Sequence, residues 1–491
     1  FYSRNLICCS RSKGEIQMST NRENFQEFFS STSGKLGSIL LVIFILISVF
    51  VVFTYPLNFG NTIWSNPSYW SDYPKSAPPT WVSIFGNENV EHQIIDFTAP
   101  VDVIPISNQE QRLYSYTLNY DSNISPTFLS LSMYDVVYHD RPPTISVSIL
   151  RPDNEEILIY RDIISSPRQG EEGPYVRYSD SPFRINLSGD KSVSSNLIEF
   201  VQDKSNSQIS VNDIVGSNEK YIFSSFSSTN PQEVLHGEYK ILIKFVVNNE
   251  NDSISKIRFV LGGSSYGLLG TDSLGRNLSV GLLFGFPIAL LIGLTTSTIT
   301  TTIGTSMGII SGYTGGRTDT IIQRFADTLS NIPLLPILLF LIFIFGPQLW
   351  LVMTILVLFG WPGLTIIIRS MVLQINSSQS IEAAKSLGAS KWRIMYRHIF
   401  PQLAPFIFAQ LVFFTPAAIL AEASLSFLGL GDPSIPTWGQ ILENGFRTGG
   451  VYIGYWWWIL PPGLLIVITA MIFVFIALAL EPVVNPKLKK M

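Results

Sequence analysis

The sequence predicts an all-α polytopic membrane protein of six transmembrane helices, with a large extracytoplasmic β-sandwich-like insertion between the first and second spans. Three observations carry this reading. Charged residues make up 14% of the 491 positions, against roughly 25% in ordinary soluble domains. Six long apolar runs punctuate the chain. Residues 56–270 hold 15 Lys/Arg and 25 Asp/Glu, a net of −10, whereas the other 276 hold 17 and 11, a net of +6. Neither part shows the clustered basic field that phosphate backbones require, so nucleic acid is excluded as a partner.

Residues 1–35 read as a cytoplasmic tail. They carry Arg4, Arg11, Lys13, Arg22 and Lys35 against three acids, and positive charge stays inside. Cys8 and Cys9 are adjacent, so they cannot staple a fold and have no spaced partner for a metal site. Met18 is the first methionine, and no function is assigned to the 17 residues before it. Residues 36–55 are 20 positions without a charge, the length that crosses about 30 Å of hydrocarbon.

The insertion, 56–268, is then expected outside. Residues 56–90, rich in Pro, Trp and Tyr, predict a linker near the membrane surface. PTISVSILRPDNEEILIYRD holds two alternating β-rich runs split by Pro152-Asp153-Asn154, and GEYKILIKFVV predicts a late strand. Asn123, Asn186 and Asn251 stand in Asn-X-Ser/Thr sequons. These are glycan acceptors where the host modifies surface proteins, and equally chance occurrences.

Five further apolar segments follow, at 280–311, 329–346, 349–368, 405–429 and 457–480. With the first they make six, which returns the tail 481–491 and its Lys487, Lys489 and Lys490 to the cytoplasm. The same count puts residues 369–404 inside, where Arg369, Lys385, Lys391, Arg393 and Arg397 face a single acid, Glu382. The turn at 312–328 is neutral and decides nothing. The protein is thus expected to be a multi-pass membrane protein with both termini cytoplasmic.

The loop at 376–404 predicts two short helices. Ser380 caps the first, Glu382 meets its positive dipole end, and Gly388 supplies a left-handed stop. Ala383 and Ala384 leave little bulk, so another protein can approach closely. A second helix runs from Ser390 toward His398, and Pro401 to Pro405 are expected to end it before the next span. The competing reading is a solvated basic loop explained by charge topology alone.

EAAKSLGASKWRIMYRHIFPQLAP resembles the EAA loop of ABC-importer permeases. Four more stretches resemble the dipeptide/oligopeptide branch, of the DppC/OppC type: LGTDSLGRN (269–277), SGYTGGRTDTIIQRFADTLSNIP (311–333), ILAEASLSFLGLG (419–431) and PTWGQIL (436–442). The resemblance covers about 220 residues. It implies a type I importer permease fold in the plasma membrane of a prokaryote and a transport subunit without its own ATPase site. It also implies four kinds of partner: a second permease subunit (DppB/OppB-like), two ABC ATPase subunits carrying ATP and Mg, an extracytoplasmic solute-binding protein, and membrane lipid. By the same resemblance Glu382, Ala383, Ala384, Gly388, Ala389, Lys391, Arg393, Arg397 and Pro401 couple the ATPases to the spans. The implied cargo is di- or oligopeptide, the alternatives being short oligosaccharides or nickel. Phe400 stands where Leu is usual, Asn277 where Asp is usual, and the family's first external loop is short, so the resemblance says nothing of the insertion.

Gly304, Gly308 and Gly312 recur at four-residue spacing, which suits close helix packing within this bundle or a seam with another subunit. Glu422 is the one acid inside a predicted span. It must face protein or water, through an interhelical hydrogen bond or direct contact with substrate. Asp272, Arg276, Asp432 and Trp438 are expected near the outer mouth, with simple interfacial anchoring as the alternative for Trp438. Neither a G-x-x-x-x-G-K-[ST] loop nor an HExxH or Gly-x-Ser-x-Gly motif occurs, so no cofactor or metal is expected on this chain and no catalytic constellation is seen. Two other classes fit the outline: a membrane-anchored surface receptor using the β-rich domain, and an ion-driven secondary transporter. The latter predicts paired intramembrane acids or an inverted repeat, and neither is present.

Overall fold

The computed structural model of the protein describes residues 28–484 except 57, 87, 107–108, 206–208 and 227–232. The N-terminal arginines, Cys8, Cys9, Lys13 and the three terminal lysines therefore lie outside the described residues. The chain divides into two units, a helical one built from 1–66 and 280–491 and a β unit comprising 67–279.

The helical unit begins with α1 (Thr32–Thr54), capped by Ser31, whose Oγ accepts from the Gly34 amide at 3.0 Å. After the β unit come α2 (Leu278–Thr314), α3 (Gly316–Asn331), α4 (Leu334–Phe345), α5 (Leu349–Asn376), α6 (Gln379–Ser386), α7 (Lys391–Phe427), α8 (Trp438–Arg447) and α9 (Trp456–Val484). Among the described residues five helices are long and apolar enough to cross a membrane, or six if the bent pair α3 and α4 forms one span. The segment expected as a span at 329–346 is instead divided between the end of α3 and α4. α3 and α4 meet at 80°, because Pro333 lacks an amide and holds Ile332 extended (φ −82°, ψ 127°). Alone, the 12 residues of α4 reach only about 18 Å.

A second correction concerns the proline stop. Pro401 and Pro405 do not end the helix that starts at Lys391, which continues without a break to Phe427. A π-helical turn at Met395–Ile399 precedes Pro401 and takes up the irregularity that its missing amide and ring impose.

The β unit is a sandwich of two antiparallel sheets. One has the order β1 (Gln93–Phe97), β10 (Ser253–Leu261), β4 (Leu129–Tyr138) and β7 (Tyr175–Arg177), with β8 (Phe183–Asn186) also on β4. The other runs β2 (Asp102–Ile106), β3 (Gln109–Tyr120), β9 (Gly237–Val247), β5 (Thr144–Leu150) and β6 (Glu156–Ile163). The two alternating runs form the β5–β6 hairpin, and Asn154 takes the left-handed conformation in its turn (φ 66°). GEYKILIKFVV is the central β9, and its alternate residues Tyr239, Ile241, Ile243, Phe245 and Val247 are buried. They join Leu131 and Met133 of β4 and Phe259 of β10 in one core shared by both sheets. Helix Lys191–Ser205 adds Val193, Leu197 and Val201 to that core, an element absent from the strand-only expectation.

Residues 56–90 are not a loose linker. In the helical unit, Phe59 packs its ring 4.7 Å from Phe284, and Trp64 is buried against Gly281. In the β unit, the Ala77 amide donates to Thr271 Oγ1 at 2.9 Å and Tyr266 N to Pro78 O at 2.8 Å. The unit boundary accordingly falls after Asn66.

Candidate functional site

The segment α6, Gly388 and the start of α7 has two faces. Ile381 and Ala384, three residues apart, point inward and join Leu364, Ile368 and Val372 of α5. Ile394, Met395 and Ile399 extend the same cluster to Ile309 of α2. The α6 cap is Ser378, in extended conformation (ψ 148°), two residues before the expected Ser380, which is itself helical. Gly388 does adopt the left-handed conformation (φ 74°), which L side chains disfavour, and it turns the chain between the two helices. Ser390 caps the next helix, its Oγ accepting from Arg393 N at 3.4 Å.

The other face is open. Glu382, Ala383, Gly388, Lys391, Arg393, Arg397 and Pro401 are exposed and Ala389 is half-buried. Ala384 corrects the expectation of a low-bulk outer surface, because it is buried against the chain's own core. Three large residues not singled out from the sequence dominate this face: Leu387, Trp392 and Tyr396 are 88%, 72% and 73% exposed. The signal was their phase: Trp392 and Tyr396, four apart, lie off the inward stripe of Ile394, Met395 and Ile399. Beside them an apolar cavity of about 490 Å³ is lined by Thr305, Ile309, Trp392, Tyr396, Phe400 and Leu411.

Rigidity behind this face comes from α2, α3 and α5. At Gly308 a Cβ would stand 2.7 Å from Ile368 Cβ, and at Gly312 2.8 Å from Val372 Cβ, so the glycine stripe seats α5 within this chain. Thr365 Oγ1 donates to the Gly304 carbonyl at 3.0 Å across the same contact. Arg369 of α5 holds Asp319 of α3 through two bonds of 2.5 and 2.6 Å, while Ser311 donates to Asp319 and Gln323 to Ser311 at 3.0 Å. The turn that net charge left undecided is thus tied to α5 by a bidentate ion pair. Thr296, Thr300, Thr301 and Thr305 of α2 are buried with hydroxyls that have no hydrogen-bond partner among the described residues.

The remaining expected residues are placed differently from one another. Glu422 is buried and accepts from Ser426 at 2.6 Å, four residues on along the same helix, and Thr437, the cap residue of α8, is its second side-chain hydrogen-bond partner. Trp438 is 3% exposed, donates from Nε1 to Leu282 O at 2.9 Å, and meets Phe286 and Phe44 edge-on. It pins α8 to α2 and α1 and is no rim residue. Asp432 accepts from Ser434 N at 3.0 Å in a local turn. In the β unit, Asp272 and Arg276 are buried and pair with each other at 2.5 Å, closing a turn in which Gly275 has φ 84°. The expected mouth cluster is therefore split between two units, and its strongest charges are already satisfied.

Residues 304–490 match the family described as "Binding-protein-dependent transport system inner membrane component". The dipeptide transport system permease protein DppC of Bacillus subtilis is 34% identical over 222 residues, 45% of this chain and 69% of that protein. This chain belongs to that permease family. The oligopeptide transport system permease protein OppC of Escherichia coli is 35% identical over 219 residues, 44% of this chain and 72% of that one. An inward-facing structure of the MetNI methionine ABC transporter aligns at 19% identity and a TM-score of 0.36, over 43% of this chain and 97% of that one. The matched family segment lies wholly within the helical unit of this permease. It contains α6, Gly388, α7 and the Asp319–Arg369 pair, while the β unit falls outside it.

Proposed function

We propose that this permease is one of two membrane subunits of an ATP-driven, binding-protein-dependent importer of di- and oligopeptides. In this reading the N- and C-termini and the α6–α7 segment are cytoplasmic and the β unit is extracytoplasmic. A second, DppB/OppB-like permease subunit completes the pathway, two ABC ATPase subunits hold ATP and Mg, and a solute-binding protein delivers cargo from outside. The observation that carries it is the two-faced coupling segment. Its inner face is locked onto α2 and α5 through Ile381, Ala384 and Ile394, and its outer face presents Leu387 and Trp392 among Lys391, Arg393 and Arg397.

Such an element transmits force without bond-breaking chemistry. A push on Leu387 or Trp392 passes through close-packed side chains into α5, and through the continuous α7 into its apolar length. The apolar cavity beside Trp392 and Tyr396 suits a seam for the second permease subunit.

Gly388→Asp strains the left-handed turn and Glu382→Lys reverses a charge at the start of α6. Both variants should reach the membrane in normal amount, yet lose co-purifying ATPase subunits and peptide uptake. Normal co-purification together with normal uptake in both would remove the coupling role.

A further inference from the structure

The β unit contains a second cavity, of about 470 Å³, that belongs to no feature of the transport reading. Its volume lies in the range of small-molecule pockets. Its charged lining residues are Lys75 and Arg184, both cations, in a region whose overall charge is −10. Lys75 is exposed and has no carboxylate partner among the described residues. Arg184 is held in place by its own protein: it pairs with Asp72 at 3.2 Å, donates to Ser68 O at 2.9 Å and to Ser132 Oγ at 3.2 Å. Asp72 in turn pairs with Arg258 at 3.0 Å, and Arg258 with Asp96 at 2.7 Å, so Lys75 supplies the unmatched positive charge.

Two further donors line the same cavity. Ser130 is 3% exposed, and its Oγ has no hydrogen-bond partner among the described residues. A buried hydroxyl in that state is costly unless something in the cavity bonds to it. Asn186 uses its Oδ1 to accept from Ser188 N at 3.1 Å, which leaves its amide hydrogens for a ligand. Pro67, Ser71, Thr127 and Leu274 also line the wall, and two aromatic rings complete it. Phe128 and Tyr73 line the cavity, and Tyr73 is braced by Tyr266 and His92 at ring distances of 5.2 and 5.9 Å.

We propose that this cavity binds a small organic carboxylate. The carboxylate accepts from Lys75 Nζ, Ser130 Oγ and Asn186 Nδ2, Arg184 adds its field, and an apolar group of the ligand lies against Phe128 and Tyr73. The site takes one end of a short peptide as readily as any carboxylic acid of that size. Its occupancy does not rest on the chain being a peptide importer.

The test uses the full chain in bilayer discs of uncharged lipid, with N-acetyl-alanyl-phenylalanine as probe and its C-terminal amide as control. The acid should bind, and the amide at least about tenfold more weakly, the loss expected when one charge-assisted contact disappears. Lys75→Ala, at an exposed position, and Ser130→Ala should each weaken acid binding about tenfold. Equal binding of acid and amide, or unchanged affinity in both variants, overturns the proposal. So does displacement of the acid by inorganic phosphate or by anionic vesicles at equal or lower concentration, which would make the cavity a phosphate or lipid-headgroup site. Ser130→Ala carries a second readout: with no ligand role it raises the unfolding temperature of the β unit and leaves binding untouched. Peptide uptake measured alongside separates the two readings, since uptake can fail with binding intact and the reverse.

Discussion

The β unit and the helical unit bury their side chains against different solvents. In the β unit alternate residues of β9 and β4 turn into one shared core, and large apolar side chains are mostly hidden. In the helical unit Phe53, Phe343 and Leu478 stand exposed on helices of uniformly apolar composition, because lipid covers what water would not. Specificity in the first comes from the inside-outside alternation, which a one-residue slip would invert. In the second it comes from small residues and a few polar ties, Gly308, Thr365 and the Asp319–Arg369 pair, since apolarity alone cannot tell a neighbouring helix from a lipid tail.

The largest expected effect separates the two cores. Phe245→Ala empties a fully buried position of β9 and should cost the β unit about 3–5 kcal/mol. Proteolysis of the intact chain should then cut within 67–279 first, while the helices stay assembled. Equal loss of both units would show that they fold as one and break the comparison.

Next is Gly308→Val. Its Cβ begins 2.7 Å from Ile368, and overpacking of this kind costs about 1–3 kcal/mol. Thermal unfolding in detergent should shift for the helices and leave the β unit unchanged, whereas a shift confined to the β unit contradicts the seating of α5 on α2.

The smallest effect is a pH dependence confined to the β unit. Burial pushes the His92 imidazole down to about 4, against an opposing pull from Asp72. Tyr73, Phe128 and Tyr266 are its other ring neighbours. A folded-state value below the ordinary 6.5 means the unfolded chain binds the extra proton between about pH 6.5 and 4. Stability is therefore complete above about pH 6.5 and falls as pH drops toward 4. Discounted for partial exposure, the loss is about 1–2 kcal/mol. His92→Phe should flatten that slope in hydrogen exchange of β-unit amides, and a slope that persists unchanged assigns it to another group.

Much of this was legible in the sequence where a local rule applied. Ser390 and Gly388 mark the ends of the two coupling helices by their residue type alone. The β5–β6 hairpin followed from alternation and the Pro152-Asp153-Asn154 turn. Failures came where a backbone adjustment or a packing contact overrode the simple rule. Pro401 looked like a stop, but a π-turn lets α7 run through it. Ala384 looked like open surface, yet spacing from Ile381 turned it onto α5. Trp438 looked like a residue of the outer mouth or an interfacial anchor until the Leu282 carbonyl and the aromatic pair Phe44 and Phe286 enclosed it.

Composition and motif order by themselves determined that the chain is a charge-poor membrane permease with an acidic β-rich insertion, because lipid compatibility and strand alternation are properties of residue type and period. Only the tertiary structure decided which face of the coupling segment is free, which helix the Gly304–Gly312 stripe receives, and which buried hydroxyl is left without a partner. Those depend on residues distant in the chain, as Arg369 lies 50 positions from Asp319 and Arg184 lies 52 from Ser132. No local pattern encodes such a meeting. Close packing does, since each side chain is fixed by whatever the fold brings against it.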